Sequence, residues 1–400
     1  MRALFGAAAA LVAVAAPALE AQTVGWAADV ATEVRLFPSG PLFPAQSGAR
    51  VSPSLSFAPE IDVESSDGLW RFSGEGFARI DAHDGNRSHV DVRELGVSYF
   101  GERVSAFVGL GQVFWGVTEV QHLVDIVNQV DAVEDLDGED KLGQPMVALT
   151  VEGEWGVLDA YLLPYFRERT FPRADARLGG PLPVDGDAVF TSNQGRWSPD
   201  VAARFFRTRG ALDVGVSAFH GTSREPRFEL RSDAAGRQRI APLYDRIDQI
   251  GVDAQWTGSS TLLKLEAMTR GGHGERIYAL TSGIEHTLYQ VFGTDGDLGI
   301  VAEAMFDSRG RDAPITLFEH DAFLGGRWAW NDVMDTSVLA GPMVDLSSGE
   351  TLLLLELQRR VGDRWSVSAD GRFFAHTADG SLMDGVRRDG FLSVTVRRYF

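Results

Sequence analysis

The sequence predicts an all-β fold, a single transmembrane antiparallel β-barrel of about eighteen strands. Segments of about ten residues alternate apolar and polar side chains, and Gly, Asp, Asn, Ser and Pro turns separate them. In residues 365–376, for example, Trp365 and Val367 alternate with Ser366 and Ser368. Charged residues keep to one parity within each segment. A charged side chain facing lipid costs about 2–4 kcal/mol at the bilayer midplane, so this parity favours strands with one lipid-facing side.

The alternating segments number about eighteen, and sixteen is the alternative count if one weak pair belongs to a loop. A bacterial barrel has an even number of strands in either case. The predicted strands lie near residues 27–36, 52–64, 68–82, 87–100, 102–113, 144–152, 155–167, 196–208, 211–220, 243–257, 259–270, 276–289, 297–307, 316–330, 334–346, 350–361, 364–376 and 389–400.

Residues 1–21 have the layout of a secretory signal peptide. Arg2 precedes an apolar run of Ala, Leu and Val, Pro17 follows that run, and Ala21 is the expected last residue before cleavage. The run is shorter than the roughly 20 residues that a transmembrane helix needs, and no later run is long enough either. We therefore expect residues 22–400 to form one outer-membrane β-barrel, whose first strand starts too early to leave room for a plug domain.

Composition narrows the function classes. The chain has no cysteine, which excludes disulfides and thiolate metal sites. Its net charge of −19 is spread along the sequence, which argues against a nucleic-acid partner. The eight histidines show no metal-ligand spacing. The acidic stretch 135–140 lacks the full spacing of a calcium loop, so an acidic turn is favoured over a weak calcium site. We expect neither a metal centre nor a cofactor.

The connections between segments differ in length. Short turns are typical of periplasmic hairpins, whereas longer loops lie on the extracellular side or fold inward. The short turns are residues 65–68, 101–103, 330–332 and 362–364, and the longer connections are residues 114–143, 168–195 and 221–242. Within the first of these, the apolar residues of segment 122–128 predict a short helix packed against the barrel wall.

The loop 114–143 resembles a group of bacterial outer-membrane barrels of mostly unassigned function. In that group a Trp-Gly pair after a strand is followed by Asp, Asn-Pro and Asp, and then by a Lys before the next strand. The matching positions are Trp115, Gly116, Asp125, Asn128, Asp131 and Lys141. Gln129 stands where the group usually has proline, so the turn of this loop is expected to differ.

The C-terminus resembles the recognition signal of outer-membrane barrels, which the barrel assembly machinery reads as a final aromatic residue preceded by apolar residues at every second position. The matching residues are Leu392, Val394, Val396 and Phe400. Arg398 departs from the pattern, because an aromatic residue is common there, but a snorkelling arginine at the membrane interface costs little. The resemblance implies that the last strand closes the barrel and directs its insertion.

In general porins a loop after an early strand folds into the lumen, and its acidic residues face arginines on the opposite wall. The same arrangement here would place a charge filter inside the barrel, whereas the alternative is a solvated acidic loop outside it. The candidates for the constriction are Trp115, Gly116, Asp125, Asn128, Asp131, Glu134 and Asp135. The candidates for the basic lumen wall are Arg71, Arg79, Arg93, Arg204, Lys264 and Arg372. Neutralising Asp125 and Asp131 is expected to shift ion selectivity without destroying the barrel.

These features together predict a porin-like channel in a Gram-negative-type outer membrane, through which small polar solutes diffuse passively. A closed barrel with a ligand-binding or structural role at the cell surface is the alternative, and a soluble periplasmic all-β protein is a second one. Catalysis is not expected, because no G-x-S-x-G motif is present and Ser217 and His220 lie on opposite faces of one strand. Besides outer-membrane lipid and the assembly machinery, the sequence leaves a homo-oligomeric partner open.

Overall fold

The computed structural model of the protein describes residues 21–400, apart from residues 136, 137, 185 and 234. The predicted signal peptide therefore lies outside the described residues, except for Ala21, which begins the first strand. The described residues contain no α-helix, and three single turns of 3₁₀ helix lie at Gly195–Trp197, Val291–Gly293 and Asp384–Val386. None of these helical segments has the length and apolar character needed to cross a bilayer.

Eighteen strands form one closed antiparallel barrel, because the first and last strands pair with each other as well as with their chain neighbours. The barrel strands are β1 (Ala21–Leu36), β2 (Val51–Ser65), β3 (Trp70–Asp81), β4 (His89–Phe100), β5 (Val104–Gly111), β6 (Gln144–Gly153), β7 (Gly156–Leu163), β9 (Asp200–Arg209), β10 (Leu212–Thr222), β13 (Arg246–Thr257), β14 (Thr261–Gly271), β15 (Ile277–Leu288), β16 (Asp297–Asp307), β17 (His320–Ala329), β18 (Ser337–Asp345), β19 (Thr351–Val361), β20 (Trp365–His376) and β21 (Phe391–Tyr399). The prediction of an eighteen-stranded barrel is confirmed, and each predicted segment overlaps one of these strands.

The remaining strands, β8 (Val189–Phe190), β11 (Arg227–Ser232) and β12 (Gln238–Tyr244), form a small sheet within the long loops. This sheet was not predicted, because β8 has only two residues and β11 exposes nearly all of its side chains. Neither strand therefore has the half-buried alternation that marks a barrel strand. The segment 122–128 is irregular, so the prediction of a short helix there was wrong.

The outer surface is apolar and has an aromatic girdle at one end. Seven of the nine tryptophans lie near the end with the short turns, namely Trp26, Trp70, Trp155, Trp256, Trp328, Trp330 and Trp365. The Arg398 guanidinium lies over the rings of Trp365 and Phe400, at 5.4 and 4.7 Å from their centroids. Such aromatic bands are found where a transmembrane barrel meets the lipid–water interface.

The two ends of the barrel differ as the sequence predicts. The turns at 66–69, 101–103, 330–336 and 362–364 lie at the end that carries both chain termini. The long connections 112–143, 164–199 and 223–245 start from the opposite end. In transmembrane barrels the short turns are periplasmic and the longer loops extracellular, which gives the two ends their names below.

Candidate functional site

Residues 112–143, which we call the inner loop, join β5 to β6, and the described part of this loop lies inside the barrel. Val124 and Val127 of this loop are completely buried, and its polar groups contact inward side chains of β14, β16 and β17. In the ring of eighteen strands, β17 is the ninth strand from β5 and thus directly opposite it. The inner loop therefore crosses the full width of the lumen.

Asn128 fixes the base of the inner loop. Its Oδ1 accepts a hydrogen bond from the Val113 amide at 2.9 Å, and its Nδ2 donates to the carbonyl oxygens of Gly111 and Leu142, each at 2.9 Å. One buried side chain thus joins the outgoing and returning ends of the loop. Amide side chains suit this position because they donate and accept at the same time.

The other residues of the Trp-Gly motif support the same base. Lys141 pairs with Asp125 at 2.9 Å, which ties the middle of the loop to its return. Gly116 has a φ of +149°, and a Cβ atom there would lie 3.0 Å from both Glu266 Oε1 and His122 Nδ1. Only glycine adopts this backbone geometry easily and leaves room for the two side chains. The motif therefore has a structural explanation in this loop.

Apolar contacts hold the near half of the inner loop against the wall. Trp115, which is 3% exposed, packs in one cluster with Val124 and Val127 of the loop and with Met146 and Phe219 of the barrel. Fully burying one such side chain contributes roughly 1.5–3 kcal/mol, so this cluster anchors the loop strongly. The predicted constriction residue Trp115 therefore packs against the wall and does not line open space.

Glu266 of β14 is the main anchor on the far side. Its carboxylate accepts hydrogen bonds from the amides of Val117, Thr118 and Val124, at 2.7, 3.1 and 3.2 Å, and from the Thr118 hydroxyl at 2.7 Å. Glu266 is completely buried. Hydrogen bonds to a charged acceptor are stronger than neutral ones, so a single strand residue holds a whole loop turn. Glu266 lies two residues after Lys264, a lumen-wall candidate, and so on the same face of the strand, but the sequence analysis did not identify it as an anchor.

The tip of the loop binds the wall opposite β5. Glu303 of β16 accepts hydrogen bonds from the amides of Glu119 and Val120, at 2.6 and 3.0 Å. The Glu119 carboxylate pairs with Lys264 at 3.3 Å and with Arg327 at 2.5 Å. Burial alone would raise the pKa of Glu119, but the two cations outweigh burial and lower this pKa. Glu119 is therefore charged and fixed at neutral pH.

His122 lies beside the same anchor. Its imidazole lies 3.9 Å from both Glu266 and Glu139, and the ring of Phe114 meets it edge-on at a centroid distance of 4.9 Å. Burial alone would lower the pKa of His122, but Glu139 and Glu266, together with Asp125, raise it to about 9. His122 is therefore a cation at neutral pH.

The returning limb of the loop forms ion pairs with β3 and β4, which lie on the β5 side of the lumen, and with β20. Asp131 pairs with Arg93 at 2.7 Å, Glu134 pairs with Arg79 at 2.8 Å, and Asp135 pairs with Arg372 at 3.2 Å. Three of the constriction candidates thus contact three of the basic-wall candidates directly, and these charges do not face each other across water.

Two of the predicted basic-wall residues have other contacts. Arg71 lies near the periplasmic end and pairs with Asp62 at 2.6 Å, away from the inner loop. Arg204 pairs with Asp253 at 2.6 Å, and its guanidinium lies 6.0 Å from the ring centroid of Trp115. The alternation of side chains therefore identified which face of these strands points into the lumen. It did not show how far along the barrel axis each residue lies from the inner loop.

The polar contacts of the inner loop described above reach β17 on one side and β20 on the other. Val120 of the loop packs against an apolar cluster that includes Leu339 and Met343 of β18 and Leu352 of β19. In the sector formed by these two strands, Glu356 of β19 is exposed, and its charged neighbours are Glu119, Glu139, Asp370 and Arg327. We call this group the acidic sector, since it contains four carboxylates and one guanidinium. A cavity of about 360 Å³ adjoins it, lined by Phe114, Thr118, Glu119, His122 and Glu139.

The residues considered for catalysis and for metal binding do not come together in the described part of the chain. Ser217 is buried on the inward face of β10, whereas His220 is exposed on its outward face. The described residues include no group of three or more His, Asp or Glu side chains placed to hold a metal ion. The stretch 135–140 includes residues 136 and 137, so the weak calcium site considered there lies partly outside the described residues.

Solved structures similar to this chain are outer-membrane barrels. OccK3 (OpdO) of Pseudomonas aeruginosa aligns with a TM-score of 0.55 at 9% identity, over 96% of this chain and 96% of its own. Wzi of Escherichia coli, a carbohydrate-binding barrel involved in group 1 capsule assembly, aligns with a TM-score of 0.51 at 10% identity, over 98% of this chain and 87% of its own. The fold is that of outer-membrane β-barrels.

Sequence comparisons add nothing to this result. No family model matches the chain, and no curated protein sequence matches it significantly. At such low identity the structural similarity supports the fold alone. The resemblance of the inner loop to the Trp-Gly group therefore stays a prediction.

Proposed function

We propose that the protein is an outer-membrane channel for passive diffusion of small polar solutes, and that the acidic sector is its selective passage. The observation that carries this proposal is the cavity of about 360 Å³ beside the inner loop, whose lining includes Glu119, His122 and Glu139. An eighteen-stranded barrel is wide enough for an aqueous channel, which a loop can narrow.

The charged residues around the proposed passage determine which ions it should prefer. Asp131, Glu134 and Asp135 are each paired with an arginine, so their charges are largely compensated. Around Glu356 the carboxylates of Glu119, Glu139 and Asp370 meet three cations, Arg327, Lys264 and His122, so that the four carboxylates of the sector leave a net negative charge. A ring of carboxylates favours cations over anions, so we expect the channel to prefer cations.

The structure changes the expected effect of neutralising Asp125 and Asp131. Both residues hold a cation within 3 Å, and Asp131 also accepts a hydrogen bond from Thr170 at 2.6 Å. Removing the Asp125 charge takes away the ion-pair partner of Lys141, and removing the Asp131 charge leaves Asp91, at 3.3 Å, as the described ion-pair partner of Arg93. Breaking a buried ion pair in this way is destabilising. These substitutions are thus expected to loosen the loop, and Glu356 is the better residue for a selectivity test.

The test is single-channel recording in planar bilayers, with reversal potentials measured under a salt gradient. We expect stable open steps, a reversal potential that indicates cation preference, and a clear loss of that preference in Glu356→Gln. Glu154→Gln is the matched control, since Glu154 is exposed in the periplasmic turn between β6 and β7 and should leave selectivity unchanged.

A folded, heat-modifiable protein without conductance would contradict the channel proposal and favour the alternative, a closed barrel with a binding or structural role at the cell surface. Conductance with equal reversal potentials in wild type and Glu356→Gln would show that the acidic sector does not determine ion selectivity. The channel proposal itself would still stand.

We further infer that the chain is exported by residues 1–21 and inserted through its last strand. The outward-facing positions of Leu392, Val394, Val396 and Phe400 support the second point, because Leu392 pairs with Leu36, and Val394 with Val34, on the lipid side of the barrel. Deleting Phe400 is the direct test, with membrane yield as the readout.

A further inference from the structure

A second cavity, of about 460 Å³, lies at the extracellular mouth of the barrel. Its wall comes from the loops 37–50, 82–88, 164–199 and 223–245, through Ala45, Asn86, Glu168, Arg169, Phe171, Arg173 and their neighbours. Hydrogen bonds between these loops define its shape. Gln46 Nε2 donates to the carbonyl oxygens of Arg177 and Gly179 at 3.0 and 2.9 Å, and Asn86 Nδ2 donates to that of Phe171 at 2.9 Å.

Arg169 is the unusual residue of this cavity. Its side chain is partly buried, its Nε is shielded from solvent, and no described residue forms a hydrogen bond with that Nε. Among the described residues, Arg169 also has no ion-pair partner. Burial lowers the pKa of Arg169, and the more distant Glu225 and Tyr244 compensate only in part.

The described carboxylates near the Arg169 guanidinium form ion pairs with other cations. Glu168 pairs with Arg196 at 2.5 Å, and Asp175 pairs with Arg173 at 2.9 Å. Glu225 is shared between Arg270 at 3.0 Å and Arg309 at 2.8 Å. A partly buried guanidinium without a carboxylate beside it is stabilised when an anion completes the site.

The rest of the lining limits what kind of anion fits. Phe171 and three prolines, Pro172, Pro183 and Pro242, form flat apolar surfaces beside Arg169. A guanidinium binds a single carboxylate with two parallel hydrogen bonds, and an apolar ring face packs on aromatic and proline surfaces. Inorganic phosphate would pair with the Arg169 guanidinium but would make no favourable contact with the apolar side chains.

We propose that this cavity binds a small organic carboxylate with an apolar ring, whose carboxylate pairs with Arg169 and whose ring lies against Phe171 and Pro172. The site also adjoins the inner loop. Thr170, the next residue along the chain, donates a hydrogen bond to Asp131 and accepts one from the Val133 amide at 3.1 Å. The inference does not depend on conduction, because a closed barrel could bind the same anion.

Isothermal titration calorimetry on the full protein in detergent micelles tests the proposal, with benzoate, benzamide and inorganic phosphate as probes. Benzamide keeps the ring of benzoate but lacks its charge. We expect saturable binding of benzoate, with benzamide and phosphate each at least tenfold weaker. Arg169→Gln should weaken benzoate at least tenfold, and Arg169→Lys, which keeps the charge, should weaken it less.

Arg231→Gln is the matched control, because Arg231 is an exposed loop arginine of β11 that pairs with Glu229 and lies outside the cavity. Its benzoate affinity should equal that of the wild type. Heat-modifiable mobility confirms that each variant is folded. The proposal is overturned if benzoate shows no saturable binding, if benzamide binds as tightly as benzoate, if phosphate binds more tightly, or if folded Arg169→Gln and Arg169→Lys both bind benzoate like the wild type.

Discussion

His122 has a charge state that depends on three carboxylates in different parts of the molecule. Glu139 and Asp125 belong to the inner loop, and Glu266 belongs to β14. None of these contacts could be read from the sequence, where the histidines are only scattered. Period-two alternation shows which side of a strand a residue faces, but it does not show which loop residue will meet it.

The pKa of His122 predicts how docking of the inner loop depends on pH. This pKa is about 9 in the folded protein, compared with 6.5 for an ordinary histidine. The stabilisation is therefore fully present below pH 6.5 and is lost as pH rises through about 9. A difference of this size corresponds to roughly 3 kcal/mol. Because the pKa of His122 is raised, we expect protease cleavage within residues 112–143 to accelerate between about pH 8 and about pH 10.

His122→Gln is the control for this measurement, since glutamine does not titrate. Its cleavage rate should already be high at pH 7 and should change little with pH. The same acceleration in the variant as in the wild type would show that another group is responsible.

At the scale of elements, strands and loops differ in how well the sequence predicts them. The eighteen barrel strands were found because each has one lipid-facing and one lumen-facing side, which produces a strict alternation. The inner loop has no such period. Its apolar residues 122–128 predicted a helix, but the Val124 amide is bound by Glu266, and Asn128 bonds the loop stems, so the backbone is satisfied without helical hydrogen bonds.

The inner loop should open when its base is released. In Asn128→Ala the Val113 amide and the carbonyl oxygens of Gly111 and Leu142 lose their partners. An unsatisfied buried group costs about 1–3 kcal/mol, so we expect the loop to be cleaved by protease at least tenfold faster while the barrel stays heat-modifiable. Asn128→Asp keeps the acceptor for Val113 but places a carboxylate oxygen against two carbonyls, and it should be cleaved at least as fast. Wild-type cleavage rates in both variants would contradict the role of Asn128 as the clamp.

At the scale of the whole molecule, the positions of the tryptophans give a test of membrane placement. Seven lie in the girdle near the periplasmic turns, whereas Trp115 is buried inside the barrel. In vesicles of brominated lipid we expect most of the tryptophan fluorescence to be quenched. A variant that retains only Trp115 should resist quenching, and one that retains only Trp26, which is 74% exposed, should be quenched strongly. Equal quenching of the two would contradict the assigned inside and outside of the barrel.

The anchors of the inner loop also constrain the order in which the molecule can assemble. Val117 is bound by a carboxylate that lies 149 residues further along the chain, and Glu119 by an arginine 208 residues further along. The loop is complete in the nascent protein long before these two far-side partners exist, whereas Arg79 and Arg93 precede it in the chain. Contacts of high sequence separation form late in folding. The tip of the loop is therefore expected to span the lumen only after β14 to β17 have joined the growing sheet.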